Sequence, residues 1–103
     1  MKNFAICCNH KIPNSVQVKD KLVKILDNNK IKAEILDIDE LKNGFDFVFV
    51  IGGDGTILKA ARFYAKSQTP VFGINLGRMG FLSQSSEQEI EDAVKKILDN
   101  KYI

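Results

Sequence analysis

Phe47-Val48-Phe49-Val50-Ile51-Gly52-Gly53-Asp54-Gly55-Thr56 is the stretch on which the reading of this chain turns. Five apolar residues without a polar break suit a strand covered on both faces, because a strand with one wet face would alternate. The strand is expected over Phe45 to Ile51, at the centre of a sheet. After it, Ile57, Ala60, Ala61, Tyr64 and Ala65 recur at helical spacing. Gly52 to Thr56 is therefore expected to be a glycine loop that joins a buried strand to a helix.

The same alternation extends outward in both directions. Upstream, Phe4 to Cys8 is a short apolar run stopped by Asn9-His10-Lys11, and it reads as the first strand. Pro13, Asn14 and Ser15 supply helix-start chemistry, and Val18, Leu22, Ile25 and Leu26 form one apolar stripe among lysines. Asn28 and Asn29 end that helix. Ile31, Ala33 and Ile35 alternate before Leu36 to Ile38, which predicts a second strand, and Asn43-Gly44 marks the following turn. Downstream, Thr69-Pro70 breaks the central helix, Val71 to Ile74 reads as a strand, and Asn75-Leu76-Gly77-Arg78-Met79-Gly80-Phe81-Leu82 is a second glycine-punctuated loop. A capping box from Ser86 to Glu89 opens a last helix with Ile90, Ala93, Val94, Ile97 and Leu98 on one face. Strands alternating with helices predict an α/β fold, a three-layer parallel sheet of the Rossmann-like or flavodoxin-like kind. Ligands of such sheets bind at the carboxyl ends of the strands, where both glycine loops fall.

Length and composition limit what this fold can serve. The chain has 103 residues, 45% of them hydrophobic, with 15 Lys and Arg against 13 Asp and Glu. That length allows one domain with its own core and leaves little room for a two-domain cleft. A net charge of +2 without a run of five like charges argues against nucleic acid. The first eight residues meet polar Asn9-His10-Lys11 too soon for a signal peptide, and no stretch reaches a membrane span of about 20 apolar residues. An intracellular, cytoplasmic protein without a membrane partner is expected. Cys7 and Cys8 are sequence neighbours that cannot readily bridge each other, and with lone His10 they make no metal-ligand set. They read as small core residues in a reducing compartment. Lys101-Tyr102-Ile103 ends the chain as if a further strand were about to begin.

The chemistry sits in the first glycine loop. Glycines let the backbone approach a ligand closely, and the first N–H groups of the following helix are unpaired, which suits phosphate. No Gly-Lys-Ser/Thr follows, and glycines at 52, 53 and 55 do not fit G-x-G-x-x-G, so neither the Walker A nor the dinucleotide fingerprint is present. Asp54 is the distinguishing residue, a carboxylate where the backbone would favour an anion. It can accept a proton from a hydroxyl attacking a phosphoryl group, hold a metal bound to that group, or serve as a turn aspartate. Lys59, one turn into the helix, is placed either to meet phosphate oxygens or to be solvated. Arg62 reads as surface.

Gly52-Gly53-Asp54-Gly55-Thr56, followed by Pro70-Val71-Phe72-Gly73-Ile74-Asn75 and Gly77-Arg78-Met79-Gly80-Phe81-Leu82-Ser83, closely resembles the NAD kinase family, with its G-G-D-G-T loop and N-x-G-x-L-G-F-L segment. Diacylglycerol kinases, sphingosine kinases and phosphofructokinases share the G-G-D-G loop but not this pair. The resemblance implies transfer of a phosphoryl group from ATP, with a divalent magnesium ion, to the 2′-hydroxyl of the adenosine ribose of NAD, giving NADP. It implies Asp54 as general base and places Asp54, Gly55, Lys59 and Phe81 against the dinucleotide. Asn75 and Arg78 could face the same cleft, and no role is assigned to them. Met79 and Gln84 depart from the usual pattern.

The resemblance covers nearly the whole chain, but only the amino-terminal α/β domain of the family, here residues 1–103. The β-rich carboxy-terminal domain, with an asparagine-acid pair and most other contacts to NAD, is absent from it. The fragment alone is therefore expected to be inactive, and a homo-oligomer is expected of the full-length protein. A lipid or sugar kinase of the G-G-D-G group and a non-catalytic nucleotide-binding module are the alternatives.

Overall fold

Four parallel strands form the sheet in the computed structural model, which describes residues 3–12, 14–76 and 84–98. The strands are β1 (Phe4–Cys8), β2 (Ala33–Asp37), β3 (Phe47–Gly52) and β4 (Val71–Asn75), in the order β2-β1-β3-β4. Among the described residues the long helices are α1 (Ser15–Asn28), α2 (Asp54–Ala65) and α3 (Gln84–Leu98). β1 and β3 lie inside the sheet and every residue of both is buried, as their unbroken apolar runs require.

Helices cover both faces. Phe4, Ile6, Phe47, Phe49, Ile51 and Ile74 project to one side, where they pack with Val18, Leu22 and Leu26 of α1 and Ile90, Val94 and Ile97 of α3. The residues between them, Ala5, Cys7, Val48 and Val50, project to the other and meet Ala60 and Tyr64 of α2. The alternation is the period of two of a strand, and it yields the three layers expected from the sequence. The Phe47 and Phe49 rings lie 5.1 Å apart in a tilted pair on the α1 side. β2 is an edge strand, so its alternation is only partly covered. Ile31 and Ala33 pack against the α1 side, whereas Ile35 is 46% exposed.

Several expected boundaries move, and β3 begins at Phe47 rather than at Phe45. The segment from Gly52 to Thr56 is not a loop. Gly52 closes β3, Gly53 alone is the N-cap, and Asp54 is the first residue of α2. The tight junction has a steric cause: a Cβ on Gly52 would lie 2.6 Å from Cβ of Thr56, so α2 can start this early only against a bare strand end. Gly73 works likewise in β4, where a Cβ would lie 2.9 Å from Ile57. The last helix begins at Gln84, two residues before the Ser86 expected as its cap. Asn14 is the N-cap of α1, as its type suggests, but its backbone is left-handed (φ 71°) and its side chain makes no capping bond. A capping side chain normally reaches forward from an extended backbone.

Candidate active site

The strand order places a switch point between β1 and β3. From β1 the chain crosses to β2 on one side, and β3 then lies on the other, so the connections leaving β1 and β3 diverge and open a crevice at their carboxyl ends. Asn9 and the start of α1 form one wall, and Gly53 and the start of α2 form the other. Asn9 ties them together. Its N–H donates to the Ile51 carbonyl at 3.3 Å, and its Nδ2 donates to Thr56 Oγ1 at 3.2 Å.

Asp54 is exposed at the mouth of this crevice, in the first turn of α2. An acid there is favoured by the positive end of the helix, which gives the carboxylate a structural reason to be in the loop motif. Asn75 Nδ2 donates a hydrogen bond to Asp54 Oδ1. The pairing of β3 with β4 sets Asn75 opposite Gly52, and this register brings a residue 21 positions away onto the carboxylate. Asn75 is thus a site residue to which sequence reasoning gave no role. The signal was present: both motifs end adjacent strands.

Gly53 and Gly55 differ from Gly52 and Gly73. A Cβ on either would meet no atom within 4 Å, and neither has a positive φ. Packing and backbone geometry therefore leave open space above these two positions, on either side of Asp54, where a ligand can lie against bare backbone.

Lys59 is exposed one turn further along α2. Its Nζ donates to Asp39 Oδ1 at 2.9 Å, and Lys11 Nζ approaches the other oxygen of Asp39 at 3.8 Å. The Lys59 hydrogen bond and charge, with lesser help from Lys11 and His10, hold the Asp39 carboxyl below its ordinary range. Beside it, Asp37 accepts from the Asp39 N–H at 2.9 Å and pairs with His10 Nδ1 at 2.9 Å. The structure thus places Lys59 on the rim of the carboxyl-terminal edge, in a network with the turns that follow β1 and β2. Arg62 is exposed, as expected. Phe81, Arg78 and the rest of the second glycine segment from Gly77 to Ser83 lie outside the described residues.

Other reactive groups are withdrawn. Cys7 and Cys8 are free and buried, and burial pushes the Cys7 thiol up to about 11, which keeps it protonated at neutral pH. Burial also raises the Tyr64 hydroxyl, which donates to the Lys42 carbonyl at 2.9 Å. Among the described residues no three His, Cys, Asp or Glu side chains converge on a metal position, and no helix is long and apolar enough to cross a membrane.

The family model for the ATP-NAD kinase N-terminal domain matches residues 4–102, which takes in the whole crevice. This chain belongs to the ATP-NAD kinase family. It is 47% identical over 71 residues to an NAD kinase of Carboxydothermus hydrogenoformans, covering 69% of this chain and 25% of that protein. It is 41% identical over 91 residues to an NAD kinase of Caldicellulosiruptor saccharolyticus, with 85% of this chain and 34% of that protein covered. With an NAD kinase of Clostridium botulinum strain Kyoto it shares 36% identity over 110 residues, 99% of this chain and 39% of that protein. The chain thus spans between a quarter and two fifths of the length of these relatives. The ATP-NAD kinase domain seen here has an all-parallel α/β sheet, and its two glycine motifs follow neighbouring strands.

Proposed function

We propose that this chain is the catalytic amino-terminal part of a cytoplasmic NAD kinase, and that Asp54 is its general base. The 2′-hydroxyl of the adenosine ribose attacks the terminal phosphorus of ATP. A bond forms from that oxygen to phosphorus, the bond to the bridging oxygen of ADP breaks, and the hydroxyl proton passes to Asp54. The observation that carries the reading is the exposed Asp54 carboxylate at a sheet switch point, fixed by Asn75 and flanked by the bare backbone of Gly53 and Gly55. General-base help of this kind is typically worth ~10²–10⁴-fold.

Lys59 supports the reading through its charge at the rim, where an anionic ligand can compete with Asp39 for its ammonium. Gly55 offers backbone to the dinucleotide, and Phe81 is proposed as an aromatic wall of the same pocket. Magnesium accompanies the triphosphate. A magnesium ion typically keeps most of its waters and binds phosphate oxygens, so no residue of this chain is assigned to it and Asp54 is kept for the proton. Further contacts to NAD, and the surfaces of a homo-oligomer, are assigned to a β-rich domain beyond these residues.

The test is Asp54→Asn in the complete protein, with NADP formation from NAD and ATP as the readout. Loss of turnover by the factor above is expected, and near-wild-type turnover removes Asp54 as the base. Phosphorylation of a lipid or sugar with no NADP formed would place the protein elsewhere in the G-G-D-G group. The isolated 103-residue chain is expected to show no turnover.

A further inference from the structure

We infer that the start of α1 receives the phosphate chain of the nucleotide donor, with the Ser15 hydroxyl among its hydrogen-bond donors. The inference rests on the kinase reading and names the donor's half of the same crevice. Ser15 is the first residue of α1 and has no solvent exposure. Its hydroxyl is buried without a hydrogen-bond partner, and it alone has this status among the described side chains. Buried polar groups are almost always paired, and one left over at a helix start is open to an oxygen of water or of an anion. The Cα–Cβ bonds of a helix tilt toward its N-terminus, so the hydroxyl of a first residue lies at the mouth of the helix. Ser15 is also in register with buried Val18 and Leu22, which turns it inward toward the sheet.

The surroundings favour an anion. No side chain caps α1 and no acid occupies its first turn, so the positive end of the helix is uncompensated. Lys11, 74% exposed at its side chain and 3.8 Å from Asp39, is loosely held in the turn leading into α1. Across the crevice, α2 begins with the carboxylate of Asp54, which would repel a phosphate chain and suits the acceptor hydroxyl. Phosphoryl transfer needs attacking and leaving oxygens roughly in line, on opposite sides of the phosphorus. Placing the acceptor against α2 and the donor against α1 meets that demand. The Ile12 N–H to Asn9 carbonyl and Ser15 N–H to Ile12 carbonyl bonds, of 3.0 and 3.2 Å, are the contacts a ligand must displace to reach the Ser15 hydroxyl.

The experiment is Ser15→Ala in the complete protein. Alanine keeps the helix start, and the melting temperature should be unchanged or higher because an unpaired hydroxyl is removed. Steady-state rates should show KM for ATP raised about tenfold with KM for NAD within twofold of wild type, and inorganic tripolyphosphate should bind about tenfold more weakly by calorimetry. An unchanged KM for ATP overturns the inference. So does a rise in KM for NAD alone, which would assign the hydroxyl to the dinucleotide, or an equal rise in both with a lower melting temperature, which would make Ser15 structural. If the wild-type protein forms no NADP, the kinase reading fails, and the tripolyphosphate arm still decides whether α1 binds a phosphate chain through Ser15.

Discussion

α1 and α2 both begin at the carboxyl-terminal edge of the sheet, on opposite sides of one crevice, and their first turns carry opposite electrostatics. α2 starts one residue after its strand, places Asp54 on its own positive end and has that carboxylate bound by Asn75. α1 starts after a longer turn, has no acid in its first turn and no capping side chain, and buries an unpaired hydroxyl. A carboxylate on a helix N-terminus makes a poor phosphate site, because the positive end that would hold an anion already carries one. The difference teaches that a glycine motif beside a helix start need not itself be the phosphate cradle.

The largest expected effect breaks the comparison from the α2 side. Asp54→Asn leaves the helix start polar but unable to take a proton, and turnover in the complete protein should fall ~10²–10⁴-fold with KM for ATP little changed. Asn75→Ala comes next. It removes the hydrogen bond that orients the Asp54 carboxylate, and kcat for NADP formation should fall about tenfold, in keeping with a hydrogen bond to a charged group. If kcat is unchanged while the melting temperature drops, Asn75 serves the β4 end and not the base.

Most of the fold was legible because local pattern and tertiary environment agree. Phe4 to Cys8 and the apolar run before Gly52 are buried on both faces, so every position prefers an apolar side chain and the strand ends fall where polarity or glycine begins. The end of α1 at Asn28 was equally plain. The junction at Gly52 was not, because glycines ordinarily signal a loop, whereas here the missing Cβ admits Thr56 and lets the helix start at once. The site was half legible. Asp54 stood out as an acid among glycines, but its contact with Asn75 depends on β3 pairing with β4, and the contact of Lys59 with Asp39 depends on the turn after β2 coming within reach of α2. Ser15 read as helix-start chemistry, and nothing in the sequence marks a serine hydroxyl that its own helix leaves unpaired.

Gly52→Ala sharpens the comparison through geometry. The added methyl group would overlap Thr56 at Cβ, an atom fixed to the helix backbone, so α2 must retreat from the strand end. Overpacking of this kind costs ~1–3 kcal/mol, to be read from the urea midpoint. The shift should also loosen the Asn9–Thr56 bond that joins the two walls. The same substitution at Gly53, where a Cβ meets nothing, should cost stability only through the poorer N-cap that alanine makes, about 1 kcal/mol, and act mainly on ligand binding.

The smallest effect concerns Asp39, which draws Lys11 from the α1 side and Lys59 from the α2 side toward one carboxylate. Both lysines lower its pKa in the folded protein, Lys59 more than Lys11. A carboxylate with a depressed folded-state pKa contributes stability above its unfolded value and loses it as the pH falls through the folded one. Asp39→Asn should therefore lower the urea midpoint slightly at neutral pH, and the difference from wild type should close as the pH drops below the ordinary value of 3.8. It should also close near 1 M salt, where the screening length is about 3 Å. A difference that persisted under both conditions would mean that the Asp39 side chain acts through something other than its charge, because the 2.9 Å bond from the Asp39 N–H to Asp37 is kept in the variant.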